Sequence, residues 1–225
     1  TVAEHAFSMG FPLIYRVHET PDKTKLADLN AFLNTLGYGM KNVGNVKAQT
    51  FQRILQKAKG TKEENVINRV VLRTMKKARY APECLGHFGL AAPCYCHFTS
   101  PIRRYPDLMV HRILREILRG EMTKERIDAY GEKLAEIAQH CSEREVAAME
   151  AERAADDLKK CEYMQTRIGT VETGIISGVA QYGFFVQLSN TVEGMVRVSS
   201  IAGDFYVCDM KNYRMVGRNS KRVFR

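Results

Sequence analysis

The stretch GHFGLAAPCYCHFTSPIRRYPDLMVHR, from Gly86 to Arg112, joins two textures in one run. Between residues 81 and 100, Gly, Pro, Cys and aromatic residues cluster without a helical period, which reads as strand and loop. From about Pro106 the side chains of Met109, Ile113 and Ile117 recur on one helical stripe, and the helix stops after Leu118 at Gly120. Two hydroxyls, Thr99 and Ser100, and two guanidiniums, Arg103 and Arg104, stand directly ahead of that helix. The unpaired N–H groups and positive dipole end of a helix attract phosphate, and an arginine grips it through a planar fork. The same residues are also explained without a ligand, with Ser100 capping the helix, Asp107 satisfying its first turn and the arginines solvated or paired.

Upstream, Leu13 to Val17 is short, apolar and compatible with a strand. Leu26, Leu29, Leu33 and Leu36 then mark a helix ending at Gly37, and Phe51, Ile54, Leu55 and Ala58 share one face of a second. Thr61 with Glu64 reads as a capping box opening a third helix, with Val66, Ile67, Val70 and Val71 turned inward. Downstream, Ile127, Tyr130, Leu134 and Ile137 mark a helix from about Lys124 to Gln139, and Ser142 with Glu145 signals the start of another. At Arg167-Ile168-Gly169 the texture changes to short apolar runs punctuated by glycines, so a domain boundary is expected between residues 167 and 168.

With 225 residues, 45% of them hydrophobic, the chain can bury a real core, as one large domain or as a medium and a small one. It has no apolar run near the roughly 18 residues that cross a bilayer and no signal-like start, so no membrane association and a cytoplasmic setting are expected. Six cysteines at irregular spacing in a chain of this size imply free thiols and no disulfides. Cys84, His87, Cys94, Cys96 and His97 lie close in sequence, but they lack the paired knuckles of a structural zinc site. The formal net charge of +9 favours a polyanionic partner. Its distribution says more: six basic residues and no acidic one lie from Lys211 to Arg225, interleaved with Tyr213 and Phe224, the texture of a single-strand nucleic-acid surface.

The run from Gly86 to Arg112 strongly resembles the signature of the RNB family, the exoribonucleases of the RNase II and RNase R type. VAEHAF, from Val2 to Phe7, and PLIYRVHETPDKTKL, from Pro12 to Leu26, resemble the same family nearest its RNase R branch. The resemblance covers Thr1 to Arg167 and implies a mostly helical α/β or α+β portion of the RNB catalytic domain. It further implies Mg²⁺-dependent 3′-to-5′ hydrolysis of single-stranded RNA to nucleoside 5′-monophosphates, in a monomeric protein. By the same resemblance Arg103 supports the scissile phosphate with Arg104 adjacent, and Glu152 contacts the RNA end; Thr99 and Ser100, from their chemistry, offer hydroxyl donors beside them.

The aspartates that hold the metal in that family have no counterpart in the sequence. They are expected upstream of Thr1, so the chain reads as an internal piece of a longer protein with no metal ligand of its own. Asp156 and Asp157 do not replace them, because adjacent helix positions do not face one point. The run GTVETGIISGVAQYGFFVQLSNTVEGMVRVSSI, from Gly169 to Ile201, resembles the S1 domain, an OB-type barrel that binds single-stranded RNA. Strand alternation puts Phe184 and Phe185 on opposite faces, one for the barrel interior and one for a base, and Tyr182, Phe184 and Arg197 are expected to feed the RNA strand inward. Residues 168–225 are therefore expected to form a partial OB fold of at most three or four strands, unclosed and loosely held after Ile201. Two functions remain open on these residues: hydrolytic RNA degradation, or RNA binding without catalysis.

Overall fold

A computed structural model describes residues 1–61, 63–209 and 213–224 and divides into two compact units, Thr1–Glu150 and Ala151–Arg225. The division falls inside one long helix, whereas the change of sequence texture lies at its end. The chain has an α+β composition, helical at first and then stranded. Among the described residues no helix is long and apolar enough to cross a membrane.

The first unit is organised by a short two-stranded sheet. Strand β1 (Tyr15–Val17) pairs antiparallel with β2 (Arg79–Ala81), Tyr15 opposite Ala81 and Val17 opposite Arg79. Helix α1 (Val2–Ser8) brings Ala3 and Ala6 to the same core, and the loop after β2 adds Cys96. Helix α5 (Tyr105–Leu118) contributes Met109, Val110 and Ile113, spaced so that one stripe of its surface is apolar. Helix α6 (Lys124–Gln165) covers this core with Leu134 and Ala138. Helices α2 (Lys23–Thr35), α3 (Ala48–Ala58) and α4 (Glu64–Thr74) bury Leu26, Leu29 and Leu33, then Phe51 and Ile54, then Ile67, Val70 and Val71. Their buried faces follow the sequence periods, although Leu36 caps α2 and stays half-buried, and the expected capping box of α4 does not form: its N-cap is Glu63, the Thr61 hydroxyl donates to the Ala58 carbonyl and Glu64 accepts the Gly60 N–H.

Three expectations change. The two helices expected on either side of Ser142 are one helix of 42 residues. The Ser142 hydroxyl donates to the Ala138 carbonyl at 2.8 Å and accepts the Tyr80 N–H at 2.9 Å, so it ties the helix to β2 from mid-helix instead of capping a new start. Cys84 and Cys94, expected as free thiols, are paired, with Cα atoms 5.8 Å apart. The turn between them closes through the His87 N–H on the Ala92 carbonyl, so their meeting comes from local geometry and not from a small chain's need for staples. Cys96, Cys141, Cys161 and Cys208 are free.

The third change is in the second unit, which holds six strands. Strands β3 (Gly174–Ala180), β4 (Gly183–Leu188) and β5 (Glu193–Arg197) form one antiparallel sheet in that order. Strands β6 (Tyr206–Asp209), β7 (Arg214–Gly217) and β8 (Val223–Phe224) form another. Among the described residues no ladder joins the two sheets. They meet through side chains: Phe184 of β4 stacks on Phe224 of β8 at 4.9 Å, Tyr206 lies 5.3 Å from the same ring, and Met215 is fully buried. That burial gives the stretch after Ile201, expected to be loose, a reason to order. Lys211 and Arg225, the ends of the basic run, lie outside the described residues.

One carboxylate holds the turn between β7 and β8. Asp204 accepts the N–H groups of Asn219 and Ser220 and the Ser220 hydroxyl, the last at 2.6 Å. The Ser220 hydroxyl first, then the Ser220 and Asn219 N–H groups, favour its charged form and depress its pKa. The unfolded carboxyl titrates near ~3.9, so the contribution to stability is complete above that value. It is lost only as pH falls through the depressed folded value. Amide exchange protection at Asn219 and Ser220 is expected to stay level from pH 7 to about 4. It should decline only at lower pH, and be low throughout in Asp204→Asn. A decline beginning near pH 6 would assign the turn's stability to another group.

Candidate nucleic-acid interface

In the first unit the turn between Ser100 and Arg104 is closed by the N–H groups of Arg103 and Arg104 on the Ser100 carbonyl, at 3.3 and 3.0 Å. Arg104 is the N-cap residue of α5 with extended backbone, and its side chain makes no cap bond. The third helical residue, Asp107, fills that role in reverse. It is 0% exposed, and its Oδ2 accepts the Ser100 N–H and the Arg104 Nη2–H, both at 2.8 Å. The positive end of the α5 dipole therefore faces a carboxylate of the chain itself.

The two arginines consequently differ. Arg104 is half-buried and committed to Asp107. Arg103 is exposed, and among the described residues no carboxylate pairs with it. Beside it Ile102 is wholly exposed, and Thr99 is exposed as well. Ser100 contributes its backbone to the turn. The free guanidinium of Arg103 on a fixed turn suits a phosphate oxygen.

Behind the turn lies a network that sequence reading does not find. Arg16 pairs with Glu145 at 2.6 Å, across 129 residues of sequence, and its guanidinium lies 4.7 Å over the Tyr80 ring. The Tyr80 hydroxyl meets His97 Nδ1 at 2.9 Å. Burial first, then the Glu145 charge, pushes the Tyr80 pKa up to about 12, so the hydroxyl keeps its proton within this bond. Burial, then Arg104 and Arg16, lowers the His97 pKa, which keeps the ring neutral and able to accept at Nδ1. No local pattern around Tyr80 or Arg16 announces this, because its partners come from β1, β2, α6 and the loop ahead of α5.

In the second unit the pleat sorts the aromatics. Phe185 stands opposite Met195 and Gly183 opposite Arg197, so Phe185, Met195 and Arg197 share one face of the β3–β4–β5 sheet. Met195 and Arg197 are exposed and Phe185 is half-buried. Tyr182, in the β3–β4 turn, is exposed and sets its ring edge-on to Phe185 at 6.5 Å. Phe184, 7% exposed and stacked on Phe224, points to the opposite side. A Cβ at Gly183 would collide with the Val196 carbonyl oxygen, so glycine lets β4 and β5 approach here. The outward face thus combines two rings, a thioether and a guanidinium, a surface on which bases stack while the cation meets phosphate. Of the residues read from the sequence, Tyr182, Phe185 and Arg197 come together, whereas Phe184, expected beside Tyr182 and Arg197 on the RNA side, is instead interior because its ring packs on Phe224.

Glu152, on the exposed α6 surface of the second unit, has no hydrogen-bond or ion-pair partner among the described residues. Asp156 is exposed, and Asp157 lies 3.8 Å from Lys160, so the two carboxylates do not converge. Among the described residues no group of three His, Cys, Asp or Glu side chains can hold a metal ion.

The sequence matches the RNB domain over residues 1–120 and the S1 RNA binding domain over residues 165–222. It is 46% identical to Ribonuclease R of Aquifex aeolicus over 100% of this chain and 32% of that relative. With Ribonuclease R 1 of Lactococcus lactis the identity is 40%, over 100% of this chain and 28% of the relative. The chain therefore spans about a third or less of the length of these curated relatives. Among solved structures, Mycoplasma genitalium RNase R in complex with ribose methylated single-stranded RNA superimposes with a TM-score of 0.89 at 29% identity, covering 100% of this chain and 36% of that one.

Phe184 and Tyr182 should separate stability from binding. Phe184→Ala is expected to lower the unfolding free energy of the second unit by about 3–5 kcal/mol in urea titrations. Tyr182→Ala should leave stability within about 0.5 kcal/mol yet weaken a single-stranded oligonucleotide by ~1–3 kcal/mol in fluorescence anisotropy. The reverse pattern would turn the sheet over.

Proposed function

The chain belongs to the RNB domain family, and from that premise we propose that it serves a 3′-to-5′ exoribonuclease of the RNase R type, hydrolysing single-stranded RNA processively to nucleoside 5′-monophosphates. The observation that carries the reading is the exposed Arg103 guanidinium, without a carboxylate partner among the described residues, on a turn fixed by the buried Asp107. The second support is the aromatic and basic outer face formed by Tyr182, Phe185 and Arg197 in the region that matches the S1 domain. In this proposal the sheet takes bases by stacking and phosphates by charge, Arg103 receives the scissile phosphate, and Glu152 meets the RNA end.

In the hydrolysis, water adds its oxygen to phosphorus and its proton ends on the departing 3′ oxygen. Negative charge rises on the non-bridging oxygens as the transition state forms, and the fork of Arg103 is strongest there. Arginine stays protonated at every working pH, so it stabilises charge and takes no proton from water. In the proposed enzyme Mg²⁺ supplies the activation of water. The described residues of this chain do not converge on a metal ion, so they do not fit that ion as ligands and none of their steps runs through it.

That same observation favours a second reading for the chain taken by itself, as a module that binds RNA and does not cut it. Incubation of the 225-residue chain with labelled single-stranded RNA and Mg²⁺ is expected to give a retarded complex and no mononucleotides. Metal-dependent release of mononucleotides would overturn the binding-only reading. In a protein of the relatives' full length carrying these residues, Arg103→Ala should lower kcat by about 10²–10³-fold with a much smaller change in KM. Equal losses in both would reduce Arg103 to a phosphate anchor.

A further inference from the structure

We propose that Asp107 is the positioning residue for the contact between Arg103 and RNA phosphate, a proposal that rests on the phosphate reading of Arg103 given above. Asp107 lies one helical turn inside α5 and touches no solvent, so it cannot meet the RNA itself. Its Oδ2 instead holds the two ends of the turn on which Arg103 stands, the Ser100 N–H on one side and the Arg104 guanidinium on the other. The Ser100 carbonyl then receives the N–H of Arg103 and of Arg104, closing the loop between the points that Asp107 fixes. Arg103 has no side-chain partner of its own among the described residues, so the direction of its guanidinium is set through this turn.

A buried carboxylate is a costly means of stabilising a helix start, since an exposed cap would serve and an apolar side chain would pack without desolvating a charge. Among the described residues the buried Asp107 Oδ1 and Arg104 Nε also have no hydrogen-bond partners. The pair is thus poorly optimised for stability alone and well arranged for holding one geometry. The competing account is that Asp107 only completes the first turn of α5 and meets the helix dipole. The two differ in what happens to the phosphate contact.

The test uses the 225-residue chain and a fluorescent single-stranded oligoribonucleotide, with affinity measured by anisotropy from low to physiological salt. Each phosphate contact to a single strand contributes about 0.7 to the slope of log K against log salt. Arg103→Ala should reduce the slope by about that amount. Asp107→Ala, whose residue carries no positive charge, should reduce it equally, and the double variant should show no further reduction. Asp107→Asn, which keeps the size and can still accept the Ser100 N–H, should recover part of the slope. Circular dichroism and a thermal melt establish that each variant folds. Should Asp107→Ala fail to fold, the comparison is made with Asp107→Asn and with Arg104→Lys, which keeps the charge and gives up the fork. An unchanged slope in the Asp107 variants, with a reduced one in Arg103→Ala, would overturn the positioning role. So would additive reductions in the double variant. An unchanged slope in Arg103→Ala itself would instead overturn the phosphate reading, and the proposal with it.

Discussion

A carboxylate without solvent must be paired, and the pairing of Asp107 determines how the chain enters α5. Because its partners are a backbone N–H at Ser100 and a guanidinium at Arg104, the turn before the helix has one conformation. The core beneath depends on the same entry. Met109, Val110 and Ile113 follow within two turns, and their stripe meets β1, β2 and α6 only if the helix starts where it does. The Arg16–Glu145 pair and the Ser142 bond to Tyr80 lock α6 to the sheet from the other side. The site and the core are consequently one construction, in which a polar network orders the surface that the apolar cluster supports.

What could be read from the sequence divides by range. Helices α2 to α5 were legible because their apolar residues repeat at helical spacing, with Gly37 and Gly120 marking the ends of α2 and α5. Helix α6 was read as two because Ser142 and Glu145 match a capping box. Their hydroxyl and carboxylate in fact go to Tyr80 and Arg16, more than sixty residues away. Alternation could say that Phe184 and Phe185 oppose each other but not which faces inward. That depends on Phe224 and Met215, in a stretch whose basic residues concealed its strands. The candidate loop was legible as residue types, yet Arg103 and Arg104 are neighbours of the same kind. Only the position of Asp107 in space separates the paired guanidinium from the free one.

The second unit satisfies the backbone donors of one turn internally and leaves one sheet face open. The turn between β7 and β8 directs the N–H groups of Asn219 and Ser220 inward to Asp204. Such convergent N–H groups would otherwise attract any phosphate. With a carboxylate already seated there, those N–H groups are not open to a phosphate, and the exposed Arg218, Lys221 and Arg222 stand on the same hairpin. The sheet face bearing Tyr182, Phe185 and Arg197 keeps its cation exposed. Rings and cation thus lie together on one sheet face, while on the β7–β8 hairpin exposed cations flank a turn whose N–H groups are already taken.

Helix α6 has a consequence for the order in which the chain folds. Its fully buried residues, Leu134 and Ala138, and its bonds to β1 and β2 all lie before residue 146. Beyond that point its ion pairs, Asp157 with Lys160 and Lys159 with Glu162, connect neighbours three apart on one exposed surface. Such contacts are worth only about 0.2–0.5 kcal/mol each, too little to nucleate a helix on their own. The anchored part thus supplies the nucleus, and the remainder grows from it as a helix–coil transition with one fixed end. On this physics the far turns form last and fray first, although they belong to the same continuous helix.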